Sequence, residues 1–289
     1  MSAVVIDLQN AEDLRDVVHR SVEALAAGKV LAVPTETVYG LVASALHPEA
    51  VDRVFAIKGR DADQPLAFAT KSLEDAMDFV PDMSALAKRI ARRSWPGPIT
   101  IVTSAKHPDS VVHRLEDSVK AATIPNGTIG LRVPAHELTL QIMRMCAGPI
   151  VMTSANISGG PDPVDAETVV DTIGDKIDVI LDDGPCQVGR PSTVIEVGDT
   201  VKILRDGGVD QASIKRLTNF IVLIVCTGNT CRSPMGEAIF QDLVSKNLGC
   251  EIDELPARGV QVLSAGIAAM PGALATEQAV QVMRRAGIE

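Results

Sequence analysis

An α/β fold with a mixed sheet, followed by a smaller doubly wound βαβα unit, is what this chain predicts, and three observations carry that reading. Segments with helical apolar spacing alternate with short β-rich runs, two late runs are separated by little more than Gly198 and Asp199, and a polar stretch with adjacent glycines precedes a fresh apolar run, FIVLIVC. The helical segments are 11–27, 48–57, 73–79, 83–93 and 138–146. The β-rich runs are 30–33, 100–102, 130–133, 150–152, 179–181, 193–197 and 201–204. Because 193–197 and 201–204 sit so close, they are expected to pair antiparallel as a hairpin, so the sheet is mixed.

The polar stretch RDGGVDQASIKRLTN reads as a connection, with a boundary between about residues 206 and 219. The first domain is expected over 10–210 and the second over 220–289. The second begins with a buried-strand pattern at 221–226, then a loop, a helix at 234–246, a strand at 260–264 and a helix at 273–285. Two strands and two helices amount to half a doubly wound domain with an exposed sheet edge.

Hydrophobic residues make up 46% of the chain but aromatics only 2%, so the core is expected to be aliphatic. The N-terminus carries Asp7, Glu12 and Asp13 and does not read as a signal peptide. Apolar runs such as 220–226 are far shorter than the roughly 20 residues of a membrane helix. A soluble, cytoplasmic protein follows as the expectation. Five cysteines, Cys146, Cys186, Cys226, Cys231 and Cys250, form an odd set and read as reduced thiols. A net charge of −10 argues against a broad basic surface for nucleic acid. The local exception is Lys88, Arg89, Arg92 and Arg93, which helical spacing places on neighbouring turns, as a solvated face or an RNA contact.

Two constellations carry chemistry. In the first, KVLAVPTETVYGL runs from a strand into a turn where Thr35, Glu36, Thr37 and Tyr39 are expected to expose hydroxyls and N–H groups, although threonines there serve equally to brace a turn. IKGR offers Lys58 and Arg60, and TSAN offers Ser154 and Asn156. If each segment is extended, the members of each pair project to one side. A Lys and an Arg held together suit a triphosphate, because one supplies a compact charge and the other a planar fork of donors.

PTETVYGL (34–41), IKGR with QPL after it, WPGPIT (95–100), GTIGLRVPAH (127–136), TSANISG (153–159), PSTVI (191–195) and ILRDG (203–207) follow one another as in the YrdC-like threonylcarbamoyl-AMP synthases, which the chain resembles over about 10–210. That resemblance implies a twisted mixed sheet with a ligand cavity. It implies an L-threonylcarbamoyladenylate synthase, a nucleotidyltransferase using ATP, L-threonine and bicarbonate with Mg²⁺ accompanying ATP and no protein metal ligands assigned. It further implies downstream tRNA-modifying transferase proteins as partners, for threonylcarbamoyl modification of the adenosine next to the tRNA anticodon, with tRNA or double-stranded RNA contact open. Lys58 and Arg60 would be catalytic and, with Thr128, Ser154, Asn156 and Arg205, hold ATP, while Thr35, Arg132 and Ser192 would surround the threonine. Asp61 and Gln64 depart from the Pro and Asn that members often carry there, and the residues after Gly208 do not resemble the extra domain of longer relatives.

In the second constellation, CTGNTCRS (226–233) has C-x5-R-S spacing between a strand and a helix. A loop of that length wraps N–H groups around a phosphate, and the same field lowers the pKa of Cys226 to give a thiolate nucleophile assisted by Arg232. With SAG at 264–266, the segment resembles the low-molecular-weight tyrosine phosphatase family, and Thr230 leans toward its protein-arginine branch. In that family an Asp-Pro general acid lies in the later half, so the 220–289 unit is expected to be truncated and to show little turnover unless Asp253 or Glu254 replaces the acid. The alternatives are a non-catalytic double-stranded RNA-binding or regulatory module, and a phosphatase with a regulatory N-terminal domain.

Overall fold

The protein is described by a computed structural model over residues 2–59 and 64–288. It divides into two compact units, Met1–Leu217 and Thr218–Glu289. The first contains strands β1 (Val4–Asp7), β2 (Leu31–Val33), β3 (Gly40–Ser44), β4 (Ala67–Ala69), β5 (Ile99–Ser104), β6 (Thr128–Arg132), β7 (Ile150–Ser154), β8 (Val179–Asp182), β9 (Thr193–Val197) and β10 (Val201–Arg205). Between them run helices α1 (Leu14–Ala26), α2 (Pro48–Lys58), α3 (Leu73–Phe79), α4 (Ala85–Ser94), α5 (Asp117–Thr123), α6 (Glu137–Met145), α7 (Ala166–Ile173) and α8 (Gln211–Thr218).

Among the described residues these strands form one mixed sheet in the order β1-β8-β2-β3-β7-β4-β6-β5-β9-β10. β9 and β10 pair antiparallel as the short spacer requires, with Val201 opposite Val197. Local chemistry sets the helix ends. The side chains of Asp13, Ser72 and Ser84 accept from first-turn amides of α1, α3 and α4. α2 starts on Pro48 and stops at Gly59, whose φ of 57° is the left-handed geometry that ends a helix.

Strand parity divides the sheet into two faces. Leu41, Ala43, Phe68, Ile99, Ile101, Ile129, Leu131, Val151 and Ile195 belong to one buried cluster with Val54 of α2, Phe79 of α3, Ile90 of α4 and Val169 of α7, so helices cover this face throughout. On the other face Leu31, Val33, Val42 and Met152 pack with Val17 and Leu25 of α1 and Leu138 and Ile142 of α6. Those two helices cover only part of that face.

The structure differs from the sequence reading in several places. The run 220–226, read as a buried strand, leaves Phe220, Ile221, Leu223 and Val225 exposed, because the two-stranded sheet it belongs to is only partly covered. The turn 35–39 is buried rather than exposed, with Thr37 and Tyr39 both 0% accessible, because β3 lies between β2 and β7 in the middle of the sheet and carries the turn inward. Lys58 closes a helix and is not in an extended segment, so its side chain is aimed by the last turn of α2. The stretch read as a connection contains α8, whose Ile214 is 3% exposed and packs into the first unit's core.

The second unit contains β11 (Phe220–Cys226), α9 (Arg232–Leu248), β12 (Val260–Gly266) and α10 (Glu277–Arg285). β11 and β12 are parallel, with Phe220 opposite Val260 and Cys226 opposite Gly266. No helix among the described residues is long and apolar enough to cross a membrane.

Phe68 is fully buried at the centre of the sheet, its ring 5.0 Å from that of Phe79. Phe68→Ala is expected to destabilise the first unit by about 3–5 kcal/mol. Urea unfolding followed by fluorescence of the single tryptophan, Trp95, would measure the shift.

Candidate functional site

The part of the second sheet face that α1 and α6 leave uncovered is a cavity of about 610 Å³. Its floor is read off the strands at every other residue: Thr100 and Val102 of β5, Thr128, Gly130 and Arg132 of β6, and Met152 and Ser154 of β7. Ser192 and Arg205 close one side. A side chain at Gly207 would run into the Pro191 carbonyl, so glycine there lets the strand end fold back beside Ser192.

Arg132 is 8% exposed. Its Nη2 donates to Glu36 Oε1 at 2.9 Å and to Thr37 Oγ1 at 2.7 Å. Glu36 uses its other oxygen to accept the Ala135 amide at 2.9 Å. The Arg132 Nε is buried and has no hydrogen-bond partner among the described residues. Across the cavity, Arg205 Nη2 donates to the Ser192 carbonyl at 2.8 Å and to its hydroxyl at 3.2 Å. Burial, and then the positive charge of Arg132, hold the Arg205 guanidinium below its ordinary pKa. Two cations that disfavour each other in one concave site make a place for an anion.

Beside the cavity, Lys58 is 1% exposed. Its Nζ donates to the Ser154 carbonyl at 2.7 Å, the Ser154 hydroxyl at 3.1 Å and Asn156 Oδ1 at 2.6 Å. The Ser154 hydroxyl donates to Asn156 Oδ1 at 2.8 Å, and Asn156 Nδ2 donates to the Pro161 carbonyl at 2.8 Å. The structure therefore joins Lys58, Ser154 and Asn156 in one hydrogen-bonded group. Thr128, Arg132, Ser154, Ser192 and Arg205 line the cavity itself. Arg60 lies outside the described residues.

Thr35 sits within the buried turn. It does not line the cavity; its hydroxyl donates to the Val38 carbonyl at 2.6 Å and meets the Thr37 hydroxyl at 2.9 Å. The reason is the inward turn, which uses Thr35 as a brace and brings Thr37 to the arginine. Glu36 and Thr37 are the functional neighbours that spacing did not single out. Thr100, whose hydroxyl lies 2.9 Å from that of Ser192, is another. The available signal was the period-two row of small and polar residues in ITIVT, GTIGLR and MTS, an alternation that marks an uncovered sheet face. In the basic cluster, Arg93 donates to the Leu217 carbonyl at 3.0 Å, so one of its members ties α4 to the end of α8.

In the second unit, the loop after β11 curls over Cys226. Its Sγ accepts from the Asn229 amide at 3.2 Å and lies 2.8 Å from the Ser233 hydroxyl. Asn229 has a φ of 51°, a left-handed conformation that Asn tolerates. The Ser233 hydroxyl, then the Ser233, Asn229 and Gly228 amides, lower the Cys226 pKa to about 7. Burial instead pushes Cys186, in the first unit, up to about 11. Arg232 is exposed in the first turn of α9, whose N-terminus faces the loop. Asp253 and Glu254 precede β12 at the end paired with Phe220, whereas Cys226 lies opposite Gly266. The length of the parallel strands therefore separates both acids from the thiol.

Residues 23–207 match the family described as telomere recombination, that of Sua5, YciO and YrdC. The chain belongs to this family. Among its relatives is the threonylcarbamoyl-AMP synthase of Pyrococcus abyssi, 39% identical over 167 residues that make up 57% of this chain and 46% of that protein. The Bacillus subtilis threonylcarbamoyl-AMP synthase is 35% identical over 168 residues, 58% of this chain and 46% of that one. The chain thus spans about half the length of the curated relatives it matches. Among solved structures, a P. abyssi Sua5 variant superposes with a TM-score of 0.65 at 26% identity, covering 99% of this chain and 89% of that one. Escherichia coli YciO superposes at 0.62 with 21% identity over 73% of this chain and 98% of its own, a likeness of fold. Residues 221–289 match the low molecular weight phosphotyrosine protein phosphatase family, so a family domain of the first kind is joined to a phosphatase-like segment.

Two outcomes are expected. Glu36→Ala strips a buried arginine of its carboxylate and should cost about 3–5 kcal/mol in urea unfolding, with Glu36→Gln costing less because it can still accept. Because a lowered pKa places more thiolate at neutral pH, alkylation of Cys226 by iodoacetamide should rise with a midpoint near pH 7, while Cys186 stays unreacted there. Ser233→Ala should move the Cys226 midpoint upward, and peptide mapping by mass spectrometry would follow each site.

Proposed function

We propose that the first unit is an L-threonylcarbamoyladenylate synthase that condenses L-threonine, bicarbonate and ATP, releasing pyrophosphate. The observation that carries this reading is the pair Arg132 and Arg205 in one cavity, with the Lys58, Ser154 and Asn156 group beside it. The P. abyssi and B. subtilis relatives are named for this activity, and a P. abyssi Sua5 structure, 24% identical, is described as complexed with L-threonine.

In this scheme the threonine carboxylate takes the remaining N–H capacity of Arg132, whose Nη2 is held by Glu36 and Thr37. Lys58, Arg60, Ser154 and Asn156 hold ATP phosphates, with Thr128 and Arg205 at the nucleotide and Ser192 between Arg205 and the amino acid. The threonine amine captures carbon dioxide from bicarbonate, forming the N–C bond of a carbamate and releasing water. A carbamate oxygen then attacks the α-phosphorus, a new O–P bond forms, and the bond to pyrophosphate breaks. Positioning of two substrates and charge stabilisation by the fixed cations supply the catalysis, with no covalent enzyme intermediate. Mg²⁺ would enter with ATP and offset the charge of its phosphates. The product would pass to a transferase that modifies the adenosine beside the tRNA anticodon, in the cytoplasm.

For the second unit we infer thiolate chemistry at Cys226 on an anion held by the loop and Arg232. Slow turnover fits the placement of Asp253 and Glu254 at the far end of the strands.

Incubation with ATP, bicarbonate and labelled L-threonine should yield threonylcarbamoyl-AMP with stoichiometric pyrophosphate; ATP binding without either product would sink the synthase reading. Arg205→Ala and Lys58→Ala should each lower the rate by about 10²-fold or more. L-Valine should support far less pyrophosphate release than L-threonine, because a site that hydrogen-bonds a hydroxyl loses that partner.

A further inference from the structure

The basic cluster of α4 takes no part in the cavity, and the fold brings it a neighbour from far along the chain. Arg92 and Arg93 fall in the last turn of α4, and Arg216 falls in the last turn of α8. All three are exposed, and with Trp95 they line one open groove of about 530 Å³. The groove shares no lining residue with the larger cavity.

Two of the guanidiniums are already aimed. Arg93 Nη1 donates to the Leu217 carbonyl at 3.0 Å, which satisfies the end of α8, and Arg216 Nη2 donates to the Ser213 hydroxyl at 2.9 Å. Trp95 is half-buried, and its indole N–H donates to the Ile99 carbonyl at 2.7 Å, so the ring is fixed at the groove wall. No carboxylate lines the groove among the described residues. Two act on it from outside, Glu74 on Arg92 and Asp210 on Arg216. Both are exposed, and Asp210 already accepts the Ser213 amide at 2.7 Å. One turn back along α4, burial and then the positive charge of Arg93 hold Arg89 below its ordinary pKa, as cations gathered in excess do. Arginines at the C-terminal turn of a helix ordinarily answer its dipole. That accounts for each helix alone, and not for two helices delivering arginines to one groove beside the single tryptophan of the chain.

We propose that this groove is a second nucleotide site, taking a nucleoside di- or triphosphate with its phosphates on Arg92, Arg93 and Arg216 and its base against Trp95. The proposal does not rest on the synthase reading of the larger cavity. Arginine forks match phosphate oxygens, an aromatic face stacks a base of any sequence, and the volume is that of a small-molecule site. Charge favours a free nucleotide over a nucleic acid. Three arginines in a chain of net charge −10 meet the phosphates of one nucleotide, whereas a polymer would bring further phosphates against an acidic protein.

The test uses the full chain and reads quenching of Trp95 fluorescence by ADP, with inorganic tripolyphosphate as competitor. Because ADP can also enter the larger cavity, the Arg205→Ala variant is titrated beside the wild type. Saturable quenching is expected in both at the same ADP concentration, and tripolyphosphate should reverse it. Arg92→Ala/Arg216→Ala should raise the half-saturating concentration by about tenfold or more, the scale of one lost charge-assisted contact, with Arg216→Gln alone giving a smaller rise. Quenching unchanged in the double variant, or lost in Arg205→Ala, would assign the signal to the larger cavity and overturn the proposal. Absence of saturable quenching in the wild type would overturn it as well. Tripolyphosphate that binds Arg205→Ala as tightly as ADP would reduce the groove to a bare anion patch and remove the base from it. Displacement of ADP by an RNA oligomer at roughly a hundredfold lower concentration would replace the nucleotide by RNA.

Discussion

Keeping a guanidinium inside a sheet is the constraint around which the first unit is arranged. Arg132 ends β6 on the face where side chains meet the cavity, and a buried cation needs a counter-charge and hydrogen-bond acceptors. Glu36 and Thr37 provide them from the turn between β2 and β3, at 2.9 and 2.7 Å. That demand explains why the turn points inward, why Thr35 becomes a brace and why the Glu36 carboxylate also holds the Ala135 amide. The arginine is held through Nη2, with its buried Nε unpartnered among the described residues, which is the state in which a binding group discriminates well.

The cavity itself follows from incomplete coverage. One sheet face is packed by helices throughout, and the other is packed only where α1 and α6 reach. Where they do not, the strands carry small or polar residues such as Thr100, Gly130 and Ser154, so that face stays open without exposing a large apolar patch. The two arginines and the nearby lysine give the open half a positive character within a chain of net charge −10. In the second unit the Ser233 hydroxyl and the loop amides instead converge on a single sulfur and lower the Cys226 pKa.

Much of this was legible in the sequence. Helix periodicity located α1 to α4 and α6, because each has to bury a stripe, and apolar β-branched runs located β5 to β10. The short strands β3 and β4 were not legible: GLVAS is buried at every position and AFA is three residues long, so neither shows alternation. The polar composition of α8 concealed it, since a single residue, Ile214, fastens it to the core.

The sequence by itself determined the chemistry available: an ordered set of segments with Lys58, Ser154, Asn156, Arg132 and Arg205, and a cysteine loop whose N–H groups and helix start are contiguous in the chain. Contiguity is why the Cys226 loop could be read locally. The first site is assembled from residues far apart in sequence, and only the tertiary structure decided which of them meet. Sheet order brings β7 beside β3 and β4, the last turn of α2 delivers Lys58 to Ser154, and the inward turn brings Glu36 to Arg132. Those pairings depend on strand register and on which face a helix covers, and neither is encoded in any one segment.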